Sequence, residues 1–219
     1  MDQKIVLYGF WRSLAAYRVR VALNLKGLPY EERVIDLVKG AQHASEFDAI
    51  NPQHVLPVFE FEGKTLTQSL AIMEYIDERW PEKSYLPQDA YLRAQVRALS
   101  QITIADVHPL VVPRVRQYLH TQFSADEEVQ LNWARHWFDR GTQAIEGLLV
   151  KNPHAGTHIF GDQITMADIA IASHVIGARL FKANLSEAPT MMRLIEPLLA
   201  LDPFGRAHPL SQQGAPSAV

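Results

Sequence analysis

The stretch GFWRSLAAYRVRVALNLKGLPYE, residues 9–31, indicates how the first part of the chain folds. Its alanines and aliphatic residues recur at helical spacing, and Gly27 followed by a proline is a stop signal. We therefore predict a helix over about Arg18–Lys26, with Ser13 at or just before its start. A serine at that place can cap the helix, or it can help to hold an anion on the positive helix end.

The segments around this helix predict a small mixed sheet. Strand-like runs precede and follow the helix, and a strand–helix–strand order implies a parallel pair. Further on, two short runs flank a hairpin turn at Glu62–Gly63, and Ser69 precedes an amphipathic segment. The predicted order is βαβαββα over residues 1–83. The runs are KIVLY, YEERVIDL, LPVFEF, KTLT and LAIMEYIDERW.

From residue 89 onward the sequence shows helical periodicity only, so we predict an all-helical domain over residues 89–210. One predicted buried face in this domain consists of Trp133, Trp137, Ala144 and Leu148. TMAD at residues 165–168 is a capping-box variant that opens an apolar helix. Residues 211–219, SQQGAPSAV, have a disordered composition.

The composition excludes several classes of function. The 219 residues carry a net charge of −3, which argues against nucleic acid or a polybasic membrane surface as partner. No apolar run approaches the length of a membrane span, and the start MDQKIVLYGF has no signal-peptide pattern, so we expect a cytoplasmic protein. With 0 cysteines, any thiol chemistry must come from a ligand, and we predict no metal site.

Three sites at the ends of predicted elements should meet at one rim of the first domain. They are the loop with Arg12 and Ser13, the segment Val55-Leu56-Pro57, and the pair Gln68–Ser69. Leu56 precedes a proline and must be extended, so its backbone could pair with a peptide-like ligand. Ser69 could clamp a carboxylate at a helix N-terminus, or it could be a simple N-cap.

Together these segments resemble the zeta class of glutathione transferases. RSLAAYRVRVALNLKG is similar to that class's signature Arg-Ser-Ser-Cys-x-x-Arg-Val-Arg-Ile-Ala-Leu, and NPQHVLPVF and TLTQSLAIMEYIDE resemble its glutathione-site segments. DVHPL, FGDQITMADIAIASHV and ARLFKANLSEAPT resemble its helical domain, so the likeness covers essentially the whole chain. The resemblance implies an α/β thioredoxin-like N-terminal domain, an all-α C-terminal domain, a homodimer and glutathione as cofactor.

The resemblance also assigns roles to residues. Ser13 would hydrogen-bond the glutathione sulfur, with Arg12 beside it, and the Leu56–Pro57 segment, with a cis proline, would pair with the cysteinyl backbone. The Gln68–Ser69 pair would bind the γ-glutamyl end. The glutathione-binding residues implied are Ser13, Gln42, Leu56, Pro57, Gln68, Ser69 and His108.

The sequence departs from the signature at two positions. Leu14 replaces its second serine and Ala15 its cysteine. Loss of the cysteine should not abolish activity if glutathione supplies the only sulfur required, whereas Leu14 leaves Ser13 with less local help. Arg18 and Arg20, the two later arginines of the signature, are interpreted as structural.

The substrate implied is a small acidic cis-olefin. Arg114 and Arg179 align with arginines that line the acid pocket of a bacterial member of the class, and Pro113 stands where a second arginine of that pair is expected. By itself each would be a solvated helix charge, and His108 by itself would be a core or helix-end histidine; the resemblance favours functional roles, and Arg12 joins the arginines as a substrate contact.

We therefore expect a glutathione-dependent isomerase of maleylacetoacetate or maleylpyruvate in aromatic breakdown such as tyrosine degradation. The alternatives are a general glutathione transferase that conjugates electrophiles and a non-catalytic binding module with the same fold.

Overall fold

The structure, a computed structural model, describes residues 4–216 and divides the chain into two units. Within the described residues, the first unit comprises residues 4–84 together with 200–216, and the second comprises residues 85–199. Residues 200–210, which we expected in the helical domain, thus belong with the N-terminal unit. The boundaries at residues 83 and 89 remain predictions about separate domains.

The first unit is built on a four-stranded mixed sheet of order β2-β1-β3-β4. The parallel pairing of β1 with β2 confirms the predicted crossover, and β3 runs antiparallel to both of its neighbours. Glu62 and Gly63 turn the hairpin with φ of 52° and 72°, the left-handed pair that a two-residue type I′ turn requires. The strands are β1 (Ile5–Gly9), β2 (Tyr30–Val34), β3 (Val58–Phe61) and β4 (Lys64–Thr67).

The helix between β1 and β2 begins earlier than we predicted. This helix, α1, spans Leu14–Lys26 rather than starting at Arg18. Ser13 is its extended N-cap, and the apolar side chains that follow are buried in the first turn as well as in the later ones. Gly27 ends α1 in the left-handed conformation with φ of 68°, as the stop signal predicted.

Three further helices complete the first unit. The last of them returns to α1, where the Asn24 side chain donates to the carbonyl of Pro203 at 2.9 Å. The tail was expected to be disordered, yet the Gln212 side chain donates to the carbonyls of Arg206 and His208 at 2.6 and 3.0 Å. Residues 217–219 lie outside the described residues. The helices are α2 (Ser45–Asp48), α3 (Ser69–Arg79) and α10 (Asp202–Ala207), with 3₁₀ turns at Ala41–His43 and Pro209–Ser211.

The regular elements of the second unit are helices, in agreement with the predicted class, and residues 151–165 form a loop with isolated β-bridges. On its longest helix, α7, we predicted the wrong face: Ala144 and Leu148 are exposed, and the buried side is displaced by one residue to Ile145 and Leu149. The two tryptophans that suggested the first face are half-buried. The helices are α4 (Ala90–Gln101), α5 (His108–Val111), α6 (Pro113–Phe123), α7 (Glu127–Val150), α8 (Met166–Phe181) and α9 (Pro189–Leu199).

A π-helical turn over Ile102–Val107 joins α4 to α5. The backbone N–H of His108 donates to the carbonyl of Thr103, five residues back. The next residue, Pro109, has no N–H to donate, and its ring excludes the carbonyl four residues before it, so the helix widens here.

The predicted capping box at the start of α8 is confirmed. The Asp168 carboxylate accepts from the N–H and the hydroxyl of Thr165 at 2.8 and 2.7 Å, and from the N–H of Ile159 at 3.1 Å. Asp168 is fully buried, so without its carboxylate these donors would have no hydrogen-bond acceptor, because water does not reach them. Within residues 4–216, no helix is both long and apolar enough to cross a membrane.

Candidate glutathione site

The N-terminal end of α1 presents Ser13 in a defined orientation. The Ser13 hydroxyl oxygen accepts the N–H of Ala16 at 3.1 Å, and the Ser13 N–H donates to the carbonyl of Phe10 at 2.9 Å. The side chain is therefore an N-cap, which was one of the two interpretations. The same geometry leaves the hydroxyl hydrogen as a donor, so capping and contact with an anion are compatible.

The residues beside Ser13 divide between surface and core. Arg12 is exposed, one residue before the cap. Leu14 and Ala15, which replace the second serine and the cysteine of the signature, are 5% and 8% exposed. Both positions therefore hold apolar side chains in the core of the first unit. The hydrogen-bonding groups at the start of α1 are then the Ser13 hydroxyl and the backbone N–H groups.

The loop before β3 carries the predicted backbone-pairing segment. Its Leu56–Pro57 peptide bond is cis, and Leu56 is buried among the core residues of the first unit. The loop is held by Asn51, whose side chain donates to the carbonyl of Val55 at 2.8 Å and accepts from the N–H of Gln53 at 3.1 Å. Sequence reasoning missed Asn51, although an Asn before a proline is a recognisable turn signal.

A surface cluster of His43, Asp48 and His54 ties this loop to the 3₁₀ turn that contains Gln42. His54 Nε2 lies 2.7 Å from Asp48 Oδ1, and the Nδ1 atoms of the two histidines lie 3.1 Å apart. Over residues 4–216 no group of three or more suitable side chains is arranged to hold a metal. The role of these two histidines in the structure is to connect two loop segments.

Gln42 itself has an unusual side chain. Its amide oxygen is buried and has no hydrogen-bond partner within the part of the chain that the structure describes. A donor group of a polar ligand could supply the hydrogen bond that this buried oxygen lacks. The sequence offered no independent signal for this residue apart from the family resemblance.

The start of α3 contradicts the interpretation of Ser69 as a simple N-cap. Gln68, not Ser69, is the N-cap, and its backbone takes a φ of 69° and a ψ of 114°. Its exposed side chain donates to Gln53 at 3.1 Å. Ser69 is the first helical residue, 3% exposed, and its hydroxyl accepts from Arg18 Nε at 3.0 Å instead of capping the helix.

The remaining predicted residues lie in the second unit. His108 is half-buried at the first position of α5, directly after the π-helical turn. Arg114 is exposed at the second position of α6, where a positive charge gains nothing from the helix dipole. Arg179 lies in the last turn of α8, where the dipole favours it, and its Nη2 is 2.5 Å from Glu196 Oε2. Local structure thus accounts for Arg179 better than for Arg114.

A thioredoxin-like four-stranded sheet in the first unit and a helical second unit define a glutathione transferase fold. The family model for the glutathione S-transferase N-terminal domain matches residues 3–78. A probable maleylacetoacetate isomerase of Vibrio cholerae is 39% identical over 96% of this chain and 98% of its own length.

Two solved structures have the same fold. One is the maleylacetoacetate isomerase of Methylobacterium extorquens AM1, solved with malonate and glutathione bound. It has a TM-score of 0.94 and is 43% identical, and the match covers 97% of this chain and 100% of that one. A bacterial zeta-class maleylpyruvate isomerase has a TM-score of 0.93 and 38% identity over 96% of this chain and 100% of its own. The chain therefore belongs to the zeta class of the glutathione transferase family, among the maleylacetoacetate and maleylpyruvate isomerases.

Proposed function

We propose that this protein is a glutathione-dependent cis–trans isomerase that converts maleylacetoacetate to fumarylacetoacetate, or maleylpyruvate to fumarylpyruvate. The observation that carries the proposal is the arrangement of Ser13 and Ser69. Each hydroxyl oxygen accepts an N–H of the protein, and each lies at the N-terminal end of a helix. Both hydroxyls can therefore donate to anions, which suits a thiolate at one end of a peptide and a carboxylate at the other.

The residues of the first unit fit glutathione. The tripeptide has amide groups that could donate to the buried oxygen of Gln42 and pair with the backbone of Leu56, before the cis proline. Its γ-glutamyl carboxylate would be bound by Ser69 and the first N–H groups of α3, with Gln68 beside them. When bound, glutathione supplies a thiolate that adds reversibly to the cis double bond, which allows the carbon–carbon bond to rotate before the cofactor leaves unchanged.

The protein's own contribution is electrostatic. Donation from Ser13, together with the positive end of α1, favours the thiolate over the thiol and lowers the thiol pKa from its ordinary value of about 8.5. Arg12, Arg114 and Arg179 are the guanidinium groups that we assign to the substrate's carboxylates, because planar guanidinium groups match planar carboxylates. They would also stabilise the negative charge that develops on the substrate.

The proposal is tested by supplying each acid with and without glutathione and following both the trans product and the free thiol. We expect product only when glutathione is present, with the thiol concentration constant over many turnovers. S-methylglutathione, which has no thiol, serves as the matched control and should support no isomerisation. Loss of thiol in step with loss of substrate would instead identify a general glutathione transferase.

Cellular context and assembly are part of the same proposal. The enzyme acts in the cytoplasm, because reduced glutathione is maintained in reducing compartments, and it serves the breakdown of tyrosine or related aromatic compounds. It forms a homodimer, as the class resemblance implies. Light scattering at assay concentrations should give twice the monomer mass, and a monomer mass would contradict this part.

A further inference from the structure

Helix α1 buries two arginine side chains, and they have different partners. Arg18 and Arg20 are 1% and 0% exposed. Arg20 is neutralised by a carboxylate: its Nε lies 2.9 Å from Glu32 Oε2 and its Nη2 lies 2.5 Å from Glu32 Oε1. Arg18 Nε donates to the neutral hydroxyl of Ser69, at 3.0 Å. A fully buried guanidinium is costly to place in a protein, and this one makes direct contact with a hydroxyl of the candidate site.

The bond from Arg18 fixes which way the Ser69 hydroxyl can act. A serine hydroxyl has one hydrogen to donate, and its oxygen can accept. Because the guanidinium N–H uses the oxygen as an acceptor, the hydroxyl hydrogen remains for another group. A charged donor also polarises the O–H bond and makes it a stronger donor. Ser69 is thereby prepared for an anionic acceptor.

The charge of Arg18 acts in the same direction. Burial lowers the pKa of Arg18 to about 9, which still leaves it positive at neutral pH. The guanidinium lies behind the first residue of α3, where the helix dipole already favours negative charge. Inside the protein this charge is little screened by salt, unlike that of an exposed arginine. An anion bound at Ser69 would therefore interact with both the helix end and Arg18.

We propose that Arg18 is a positioning residue that orients and polarises the Ser69 hydroxyl for the α-carboxylate of the γ-glutamyl group. This inference rests on the proposed function, since it concerns the same glutathione site. It corrects the interpretation of Arg18 as purely structural and leaves that interpretation in place for Arg20. The two arginines thus form a matched pair on one helix.

The experiment compares two ligands in variants at these positions. Calorimetry measures the binding of glutathione and of its analogue in which the γ-glutamyl α-carboxylate is a carboxamide. The dissociation constant of the carboxamide analogue divided by that of glutathione gives a ratio that measures recognition of the carboxylate, and a high ratio means strong recognition. We expect Arg18→Met to weaken glutathione binding by about 10-fold while the analogue is little affected, so that the ratio falls. Arg18→Lys, which keeps the charge, should retain part of the ratio.

Two controls separate positioning from general damage. Arg20→Met removes an equally buried guanidinium from the same helix and should leave the ratio unchanged in the folded protein, whatever it does to the melting temperature. In a Ser69→Ala background, Arg18→Met should change the ratio less than it does in the wild type, because only the direct interaction of the charge with the carboxylate is then left to lose. If Arg18→Met does not fold, the Arg18→Lys variant is compared with Arg20→Lys in the same way.

The outcomes are distinct for the two proposals. Failure of the wild type to bind glutathione would overturn the proposed function. A wild type that prefers the carboxylate, with the preference unchanged in the Arg18 variants, would overturn only the role of Arg18. Equal weakening of both ligands would do the same, because it would make Arg18 a residue of general stability.

Discussion

The hydroxyl oxygen of Ser13 accepts the backbone N–H of Ala16 at 3.1 Å, so the residue assigned to the sulfur also caps α1. The oxygen serves the helix and the hydrogen is left for a ligand. A substitution at Ser13 should therefore have two separable effects. One is on the stability of the fold, and the other is on the ionisation of the bound thiol.

Ser13→Ala should lower turnover by about 10-fold or more, if the hydroxyl lowers the thiol pKa by at least one unit. It should also cost about 1 kcal/mol of unfolding free energy through loss of the cap. Turnover against pH and the ultraviolet absorbance of the thiolate in the binary complex measure the first effect. Denaturant unfolding measures the second.

Ser13→Asp is the matched control, because aspartate caps helices well but has no proton to donate at neutral pH. Its stability should stay near that of the wild type while the thiol pKa rises. Unchanged turnover and pH profile in Ser13→Ala would remove Ser13 from the chemistry. Ala15→Cys, which restores the signature's cysteine, should change turnover little because the reacting sulfur belongs to glutathione.

Ser69→Ala should weaken glutathione binding and leave the rate of the bound complex largely intact. The hydroxyl lies at the first residue of α3 and has no role at the thiol, so its loss should raise the Michaelis constant for glutathione more than it lowers kcat. Calorimetric affinity for glutathione equal to that of the wild type would refute the carboxylate assignment. Gln68→Ala should have a smaller effect, since that exposed side chain also has Gln53 as partner.

Two of the features that the sequence predicted correctly depend on neighbouring residues only. The hairpin at Glu62–Gly63 and the box of Thr165 with Asp168 depend on residues one to three positions apart, and both are present. The bond between Arg18 and Ser69 joins residues 51 positions apart, and no periodicity indicates it. The return of α10 to α1 depends on a bond from Asn24 to Pro203, 179 positions apart.

Two local features were nevertheless misjudged, for physical reasons. The predicted start of α1 is too late because Leu14, Ala15 and Ala16 include no polar residue that would show an amphipathic pattern, whereas the cap at Ser13 decides the boundary. The buried face of α7 was drawn through two tryptophans, which are large enough to be half-buried at its edge. Leu149, which is 2% exposed, marks the true face.

The capping box of α8 should contribute unequally through its two side chains. Thr165→Ala removes one hydroxyl and should cost about 1 kcal/mol of unfolding free energy. Asp168→Ala leaves the N–H groups of Thr165 and Ile159 buried without an acceptor, so we expect about 3 kcal/mol or more. Urea unfolding of both variants checks the order. Equal losses would mean that water replaces the carboxylate.

Acid should destabilise the second unit through His174. This residue is fully buried, its Nε2 lies 2.9 Å from Thr142 Oγ1, and burial lowers its pKa to about 4. In the unfolded chain the ordinary pKa of 6.5 applies, so the unfolded state binds more protons between those values. The contribution of His174 to the free energy of unfolding is therefore fully present above about pH 6.5 and is lost as the pH falls toward 4. This loss is about 3 kcal/mol at most.

His174→Gln keeps a partner for Thr142 but does not titrate. The difference in unfolding free energy between pH 7 and pH 4.5, about two and a half units apart, should be smaller in this variant than in the wild type. All other acidic groups are common to both proteins and cancel in the comparison. An identical pH dependence would show that His174 does not carry the acid sensitivity.

A substitution at Arg179 distinguishes an isomerase of acidic substrates from a general glutathione transferase, and Arg179 is exposed enough to be replaced without loss of the fold. Its guanidinium and Glu196 are 46% and 56% exposed, so their ion pair should contribute only about 0–1 kcal/mol to stability. Arg179→Met should therefore fold normally. If this guanidinium binds the substrate's carboxylate, the variant should lose about 10-fold or more in kcat/KM for maleylacetoacetate or maleylpyruvate while conjugation of an uncharged aryl halide is spared.

Glu196→Gln breaks the same ion pair but keeps the guanidinium, and it is therefore the control for a purely structural role. Removing the competing carboxylate should leave the Michaelis constant for the acid unchanged or lower it, the opposite of the result expected for Arg179→Met. In Arg114→Met the difference between the loss of activity on the acid and on the aryl halide should be smaller, because Pro113 replaces the arginine expected beside Arg114. If Arg179→Met and Glu196→Gln instead lower both activities alike, Arg179 is a partner of Glu196 only, and the exposed Arg114 becomes the stronger candidate for the acid.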